Sequence, residues 1–414
     1  LVKDPKGYLS LPSGFSYKVI SRVGDTMSDG LLVPGKPDGM AAFAGSNGRT
    51  ILVRNHEMNP NQTSLSPYGS DQNLLTAVDQ NKIYDMNGGQ PCLGGTSTLI
   101  YNHQTQEVEL QYLSLAGTVY NCAGGPTPWK SWVTCEEFDK NDSIKFSSLE
   151  KSHGYCFEVP AREEMGLTDP VPLKALGRFQ HEAICVDPDT GIVYLTEDDH
   201  DGLFYRFIPD VKSDLKAGGK LQALSLKDRV DLDIRNNDET VVKVGQELAV
   251  HWIDMDDIES PNYDLRVRGY QKGATRFNRG EGIWFGNNEL FFTCTEGGAK
   301  HLGQIFKYKP AANEGEANES GGTLSLFLEP NDADRMKFCD NLTVSPWGDL
   351  IVCEDHTHSF LHGVTPKGEL YHFAENIGSE GEFAGACFSP DGSTLFVNIQ
   401  HIGETVAITG PWLS

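Results

Sequence analysis

The sequence predicts an all-β fold, a six-bladed β-propeller with loop and short helical insertions, formed by a single domain over residues 1–414. Two observations carry this prediction. A hairpin pattern recurs six times along the chain, and no segment between the copies has the length or apolar content of a second domain. The 44 Gly and 21 Pro among 414 residues also favour many short strands over long helices.

Each repeat consists of a first strand, a tight turn and a second strand that ends in polar or acidic residues. Runs such as VYL, LFF and LIV flank turns such as DPDTG, SPWGD and SPDGS, which is typical of β-hairpins. The six copies cover residues 38–57, 121–137, 181–198, 280–296, 340–355 and 382–400. The segments between them are predicted to be outer strands, loops and short helical turns.

Acidic residues recur at the strand ends of these hairpins. Because a hairpin brings the start of its first strand beside the end of its second, Glu182 is predicted to lie near Glu197 and Asp198. For the same reason Glu281 is predicted to lie near Glu296, and Asp340 near Glu354 and Asp355. In a propeller the corresponding ends of the inner strands meet at one mouth of the axial channel, which predicts one acidic ring. A β-sandwich, the alternative fold, would scatter these ends.

A ring of buried carboxylates indicates bound cations, because like charges in a partly buried channel repel each other strongly. Carboxylate oxygens suit calcium or ferric iron, and a thiolate among them favours a transition metal. Cys135 stands at an acidic strand end in WVTCEE and is the predicted thiol ligand. The predicted metal ligands are Glu57, Cys135, Glu136, Glu182, Glu197, Asp198, Glu281, Asp340 and Glu354. A purely structural calcium plug is the alternative.

Arg279 is the residue predicted to bind an anionic group in this ring. It stands two residues before Glu281 in FNRGEG, and a guanidinium fork there could hold two phosphate oxygens. A salt bridge to a neighbouring carboxylate is the alternative role. Asn55 occupies the equivalent point of the first repeat, next to His56. The predicted catalytic residues are Asn55, Glu182, Arg279 and Glu281.

Composition and motifs exclude several other classes of function. The formal net charge of −24 argues against a nucleic-acid or anionic-membrane partner, since both require clustered Lys and Arg. No run of about 20 apolar residues predicts a membrane span. The chain also lacks GxxxxGK[ST], HExxH and GxSxG, and its nine cysteines have no CxxC spacing of a zinc knuckle.

The motifs GGPTPWKSWVTCEE, GRFQHEA, RGEG, DNLTVSPWGDLIVCED and EFAGACFSPDGSTLFVN resemble the PhoX-type alkaline phosphatase family of bacteria. The resemblance extends from PDGMAAF near residue 37 to the last strand near residue 400. It implies a six-bladed propeller that encloses a pair of ferric ions together with calcium and hydrolyses small phosphate monoesters at alkaline pH. It also implies export in folded form to the periplasm or the outside of the cell, and we expect a monomer.

Carried over by motif, the resemblance implies that Cys135 ligates iron, that Glu182 and Glu281 are central metal ligands, and that Arg279 binds phosphate. Two departures from the family pattern, Lys130 after TPW and Cys339 before Asp340, put substrate range and pH optimum in question. One alternative enzyme is a calcium-dependent propeller lactonase or phosphotriesterase, which has no thiolate ligand. A non-catalytic alternative is a calcium-stabilised propeller that binds a partner through its loops.

Overall fold

The computed structural model describes residues 1–230 and 232–412, and antiparallel strands account for most of its regular structure. The strands of these residues are β1 (Leu9–Ser10), β2 (Ser16–Arg22), β3 (Pro37–Ala44), β4 (Thr50–His56), β5 (Gly94–Asn102), β6 (Glu107–Thr118), β7 (Asn121–Pro126), β8 (Ser131–Glu136), β9 (Cys156–Pro160), β10 (His181–Val186), β11 (Val193–Glu197), β12 (Gly202–Pro209), β13 (Gly219–Leu226), β14 (Glu247–Asp254), β15 (Arg276–Phe277), β16 (Gly280–Gly286), β17 (Glu289–Cys294), β18 (Gln304–Lys309), β19 (Thr323–Leu328), β20 (Cys339–Val344), β21 (Leu350–Glu354), β22 (Phe360–Val364), β23 (Leu370–Asn376), β24 (Phe383–Phe388), β25 (Thr394–Ile399) and β26 (Glu404–Thr409).

Helices are short and lie in the connections. The α-helices of the described residues are α1 (Lys140–Lys145) and α2 (Leu265–Gln271). The 3-10 helices are Ser46–Gly48, Thr63–Leu65, Asn73–Ala77, Gln80–Lys82, Asn87–Gly89, Lys174–Leu176 and Leu215–Ala217. In the ranges 1–230 and 232–412, helices of the length and apolar character that crossing a membrane requires do not occur.

The first strands of the six hairpins form the inner ring of the molecule. Strands β3, β7, β10, β16, β20 and β24 each pack against the next, and β24 packs against β3 to close the ring. The amino-terminal strands complete the outer edges, since β2 pairs with β26 and β1 pairs with β23. This pairing of β2 with the last strand joins the two ends of the chain within one sheet.

The propeller-like all-β fold is confirmed, but the prediction of six separate blades is wrong. Hydrogen bonding groups the strands of the described residues into five sheets, because β14 pairs with both β13 and β19 and merges the third and fourth hairpins into one sheet. The β14 sequence ELAVHWID alternates between exposed and buried positions. Leu248, Val250 and Trp252 therefore face the core while the intervening side chains face solvent.

Hydrophobic clusters fill the spaces between neighbouring sheets, and the largest is centred on the merged sheet. Its aromatic side chains include Phe204 and Phe292, whose rings stack with centroids 4.4 Å apart, together with Trp252 and Tyr308. Burial of side chains of this size stabilises the fold by about 1.5–3 kcal/mol each. The ends of the inner strands are thereby held at fixed positions around the channel.

Candidate metal and phosphate site

A β-bulge interrupts the first strand of each of the six hairpins at the same end of the ring. In five of these hairpins, one residue of the first strand is aligned with one residue of the second strand, and the register shifts immediately after this registered pair. Those pairs are Pro37 with His56, Asn121 with Glu136, His181 with Glu197, Gly280 with Cys294, and Cys339 with Glu354. A bulge bends a strand and turns a side chain to a new direction, so the residue after the pair no longer follows the sheet alternation.

The residues that directly follow these pairs line one polar cavity of about 130 Å³. Asp38, Cys122, Glu182, Glu281 and Asp340 follow the first-strand members. Glu57, Glu137, Asp198 and Asp355 directly follow the second-strand members of four pairs. Arg279, Glu382 and Gln400 complete the lining. We call this space the acidic cavity. It combines nine carboxylates with one thiol, one guanidinium and one amide.

Two glycines allow the inner strands to approach closely beside these acids. A Cβ atom on Gly39, which follows Asp38, would lie 2.6 Å from the Cα of Ala123 in the next hairpin. A Cβ on Gly282, which follows Glu281, would lie 2.7 Å from the Cα of Asn341. Because both obstacles are backbone atoms, side chains at these positions would push the strands apart and widen the cavity.

Two groups of donor atoms in the acidic cavity have spacings that suit metal ions. One group joins the thiol of Cys122 to the carboxylates of Glu137 and Glu182, and the other joins Glu182 to Glu281 and Asp340. Within each group the ligand atoms lie within 4.8 Å of one another. Glu182 belongs to both groups and could bridge two cations.

The electrostatics of the acidic cavity also fit cations. Burial and then repulsion from Asp340 and Asp38 raise the pKa of Glu182 well above its usual value. Burial and repulsion from Asp355 raise the pKa of Asp340 to about 7, and burial raises that of the Cys122 thiol. These groups take up protons when only protein surrounds them, and cations would replace those protons.

Arg279 projects into the acidic cavity and is held there by carboxylates. Its Nε and Nη2 atoms each lie 2.9 Å from an oxygen of Asp198, and Nη2 lies 3.1 Å from Oε1 of Glu281. Its backbone has a φ of +56°, a strained value for a residue with a side chain. Backbone hydrogen bonds to Asp199 and from Thr295 fix that conformation.

Gln400 connects the first and last hairpins across the cavity. Its Nε2 donates to Oδ2 of Asp38 at 2.7 Å and to Oε2 of Glu57 at 3.0 Å. Nζ of Lys36 donates to the side-chain amide oxygen Oε1 of Gln400 at 2.7 Å. Together these contacts fix two carboxylates of the first hairpin in orientation.

Comparison with known proteins identifies the family. The family described as alkaline phosphatase PhoX matches residues 1–403. The chain belongs to the PhoX alkaline phosphatase family. It is therefore a phosphoric monoester hydrolase of a metal-dependent family that acts on small phosphorylated substrates and whose members are typically secreted or periplasmic. A search of curated protein sequences finds no match.

One solved structure supports the propeller-like fold, and two others show weaker similarity. Pseudomonas fluorescens PhoX in complex with vanadate, a transition state analogue, superposes with a TM-score of 0.72 at 18% identity, covering 98% of this chain and 96% of that chain. A gluconolactonase of Xanthomonas campestris gives a TM-score of 0.45 at 11% identity, covering 97% of each chain. A Dyadobacter fermentans protein of unknown function gives 0.46 at 9% identity, covering 97% of this chain and 99% of that one.

Six of the residues predicted from the sequence meet in the acidic cavity of this PhoX protein. They are Glu57, Glu182, Asp198, Arg279, Glu281 and Asp340. The lists of predicted metal ligands and catalytic residues omitted Asp38, Cys122, Glu137, Asp355, Glu382 and Gln400, which line the same cavity. Most of these residues directly follow a registered pair of a hairpin. The sequence alone does not show where the registered pairs are, because their positions depend on the β-bulges.

Cys135 does not line the acidic cavity, contrary to the prediction. It lies within β8, where its side chain packs between sheets with Ile184 and Leu195. Its Sγ is 3.6 Å from Sγ of Cys156, its direct neighbour on β9. The thiol in the cavity belongs to Cys122, which follows the bulge pair of the second hairpin.

Three predicted acids directly precede a cavity-lining residue in the sequence, and their side chains form hydrogen bonds within the protein interior instead. Glu136 accepts hydrogen bonds from the backbone and contacts His153 at 2.6 Å, and Glu197 accepts from the Leu203 amide and the Tyr205 hydroxyl. Glu354 accepts from the amides of Lys337 and Phe360 and contacts His362. Each is itself a member of a registered pair, so the next residue enters the cavity in its place.

Asn55 also lies behind the cavity wall and does not line the acidic cavity. Its amide donates to the carbonyl oxygens of Cys122 and Ala123, and its carbonyl oxygen accepts from Nε1 of Trp132. Asn55 is fully buried. It therefore fixes the strand segment that presents the Cys122 thiol, which is a positioning role.

Proposed function

We propose that the acidic cavity hydrolyses phosphate monoesters with the help of an iron pair and calcium. The observation that supports this most directly is the pair of donor groups that share Glu182, one of which includes a thiol. The group of Cys122, Glu137 and Glu182 suits ferric iron, since a thiolate favours a transition metal. The group of Glu182, Glu281 and Asp340 has only carboxylates and suits calcium or the second iron.

Bound cations would supply positive charge that stabilises the phosphoryl oxygens as the bond to the leaving alcohol breaks. Arg279 would bind the phosphoryl group with the guanidinium N–H groups that Asp198 leaves free, because Asp198 engages Nε and Nη2 and so fixes the orientation of the guanidinium. Gln400 and Lys36 would hold Asp38 and Glu57 in place. None of these roles requires a side-chain nucleophile.

We also infer that residues 1–414 form one catalytic domain that acts as a monomer after export to the periplasm or the medium. The pairing of β2 with β26 supports the single domain, because the two ends of the chain complete the same sheet. Export is supported by the usual location of the family. Gel filtration with light scattering, and fractionation of cells that express the gene, test these two points.

The decisive experiment compares Cys122→Ala with Cys135→Ala. We expect Cys122→Ala to lose bound iron and more than about 100-fold of its activity on p-nitrophenyl phosphate, because removing a charge-stabilising group costs that much. Cys135→Ala should keep iron and activity and lose only about 1–2 kcal/mol of unfolding free energy through its small cavity. Elemental analysis and steady-state kinetics measure both effects.

Other results would contradict the proposal. Iron loss in Cys135→Ala with iron retained in Cys122→Ala would reverse the ligand assignment. An active protein that contains calcium without iron would exclude the iron pair and favour the calcium-dependent enzymes. An iron- and calcium-loaded protein that cleaves no phosphomonoester would contradict the function itself.

A further inference from the structure

A second cavity of about 210 Å³ shares a wall with the acidic cavity. We call it the side cavity. Gln180, which lines it, donates from Nε2 to Oε1 of Glu137 at 2.8 Å, and Glu137 lines the acidic cavity. Asp198 and Asp199 are adjacent in sequence and line the acidic cavity and the side cavity, respectively. The two spaces are therefore separated by single side chains.

Three cationic side chains line the side cavity at different depths. Lys140 is exposed at the start of α1, and Arg266 on α2 is half-buried, with Nη2 2.8 Å from Oδ2 of Asp199. Arg178 is half-buried, donates from Nε to the carbonyl oxygen of His153 at 2.9 Å, and lies over the Tyr263 ring. These groups offer hydrogen-bond donors and positive charge along the side cavity.

The acidic groups of the side cavity are already engaged with the protein. Asp199 is paired with Arg266, and Asp139 accepts from the amide of Asp142 at the start of α1. Glu197 accepts hydrogen bonds from the Leu203 amide and the Tyr205 hydroxyl. Arg266 is matched by Asp199, but Lys140 and Arg178 form no ion pair with a carboxylate among the described residues. The side cavity therefore favours an anionic ligand more than the rest of this acidic protein does.

The outer wall of the side cavity is pre-formed. Asp257, Ser260 and Tyr263 all have positive φ values, of 45°, 36° and 55°, in the segment that leads into α2. The Ser260 hydroxyl donates to Oδ1 of Asp264 at 3.0 Å, and the Tyr263 hydroxyl accepts from the Arg178 guanidinium. Strained backbone held by such contacts is typical of segments that shape a binding site.

We propose that the side cavity binds the alcohol part of the substrate and selects phosphate monoesters whose alcohol carries a second anionic group, such as a carboxylate or another phosphate. This inference rests on the proposed function of the acidic cavity and adds the substrate class. A phosphoryl group bound near Arg279 has the Glu137–Gln180 and Asp198–Asp199 walls beside it. An alcohol directed across them would enter the space that Arg178, Arg266 and Lys140 line.

The test compares phenyl phosphate with 4-carboxyphenyl phosphate, which differ by one carboxylate on the leaving group. In the metal-loaded enzyme, Lys140→Gln combined with Arg266→Gln should lower kcat/KM for the carboxylated ester about tenfold, and for phenyl phosphate less than about twofold. Lys140→Gln alone changes one exposed side chain, so it should fold normally and show a smaller effect of the same kind. Added salt should reduce the wild-type preference, because exposed charges are screened.

Arg268→Gln is the matched control. Arg268 is on the same helix as Arg266 but pairs with Asp256 and Asp264 outside the side cavity, so its loss should leave the ratio of the two kcat/KM values unchanged. The same ratio in wild type and in the Lys140 and Arg266 variants would overturn the substrate class while leaving the phosphatase function intact. Failure of the wild-type enzyme to cleave either ester would instead contradict the proposed function.

Discussion

Arg279 and Asp198 form a bidentate ion pair inside the acidic cavity, with the Nε–Oδ1 and Nη2–Oδ2 distances both 2.9 Å. Asp198 directly follows β11, so its position is fixed by the third hairpin, whereas Arg279 directly precedes β16 of the fourth. The pair therefore links two hairpins at the place where a phosphoryl group would bind. It holds the guanidinium plane in one orientation before substrate arrives, which lowers the entropy cost of binding.

Replacement of Arg279 by Lys should keep the positive charge but remove the fork. We expect kcat/KM for p-nitrophenyl phosphate to fall about 100-fold and inhibition by inorganic phosphate to weaken, while metal content stays normal. Arg276→Lys is the control, since Arg276 pairs with Asp201 and Asp233 outside the acidic cavity. Equal losses in the two variants would contradict a specific role for Arg279.

Removal of metal should make stability fall as pH rises. Burial and carboxylate repulsion raise the pKa values of Glu137, Glu182 and Glu281, and that of Asp340 to about 7. Above about pH 4.5 the folded metal-free protein therefore holds more protons than the unfolded chain, so its unfolding free energy decreases through neutral pH. We expect the Tm after chelation to drop by at least about 3 °C between pH 5 and 8.

Two comparisons make that measurement specific. Asp340→Asn removes one of the titrating carboxylates and should flatten the decline of Tm in the chelated protein. Restored iron and calcium should also flatten it, because cations occupy the place of the protons. A Tm of the chelated protein that rises with pH would show that the cavity carboxylates are not forced to accept protons.

Much of the site could be predicted from the repeat alone. The hairpin pattern correctly placed Glu182, Glu281 and Asp340 at one end of a ring, because hairpin geometry follows from turn residues and strand propensity. The choice between Cys135 and Cys122 could not be made in the same way. It depends on the β-bulge after Asn121, where one extra residue decides which of two neighbouring side chains faces the channel.

The strand pairing that merges two hairpins into one sheet could not be predicted from the sequence pattern either. The polar insertion after β12 contains the alternating strand ELAVHWID, whose period of two does indicate a half-buried strand. Nothing in that period specifies a partner, since an outer strand can pair with either neighbouring sheet. Pairing with both β13 and β19 depends on how the two sheets are placed, which is a property of the whole fold.

A buried charged network lies directly behind the acidic cavity. His153 contacts Oε1 of Glu136 at 2.6 Å through Nδ1 and Oδ2 of Asp85 at 3.2 Å through Nε2, and all three side chains are fully buried. Burial alone would lower the pKa of His153, but Glu136 and Asp85 outweigh it and raise that pKa well above the usual value. Because Glu136 precedes Glu137, this network also fixes a lining residue of the acidic cavity.

Replacement of His153 by Gln should therefore be among the most destabilising single changes. It leaves two buried carboxylates without their cation, and we expect a loss of about 3–5 kcal/mol of unfolding free energy in urea at pH 7. Lys174→Gln, which breaks the exposed pair with Glu259, should cost no more than about 1 kcal/mol. The raised pKa of His153 stabilises the folded protein fully below the usual histidine pKa of about 6.5, and this contribution is lost progressively as pH rises above it. The gap between wild type and His153→Gln should therefore narrow from neutral pH upward. A gap that widens as pH rises would show that His153 is neutral in the folded protein.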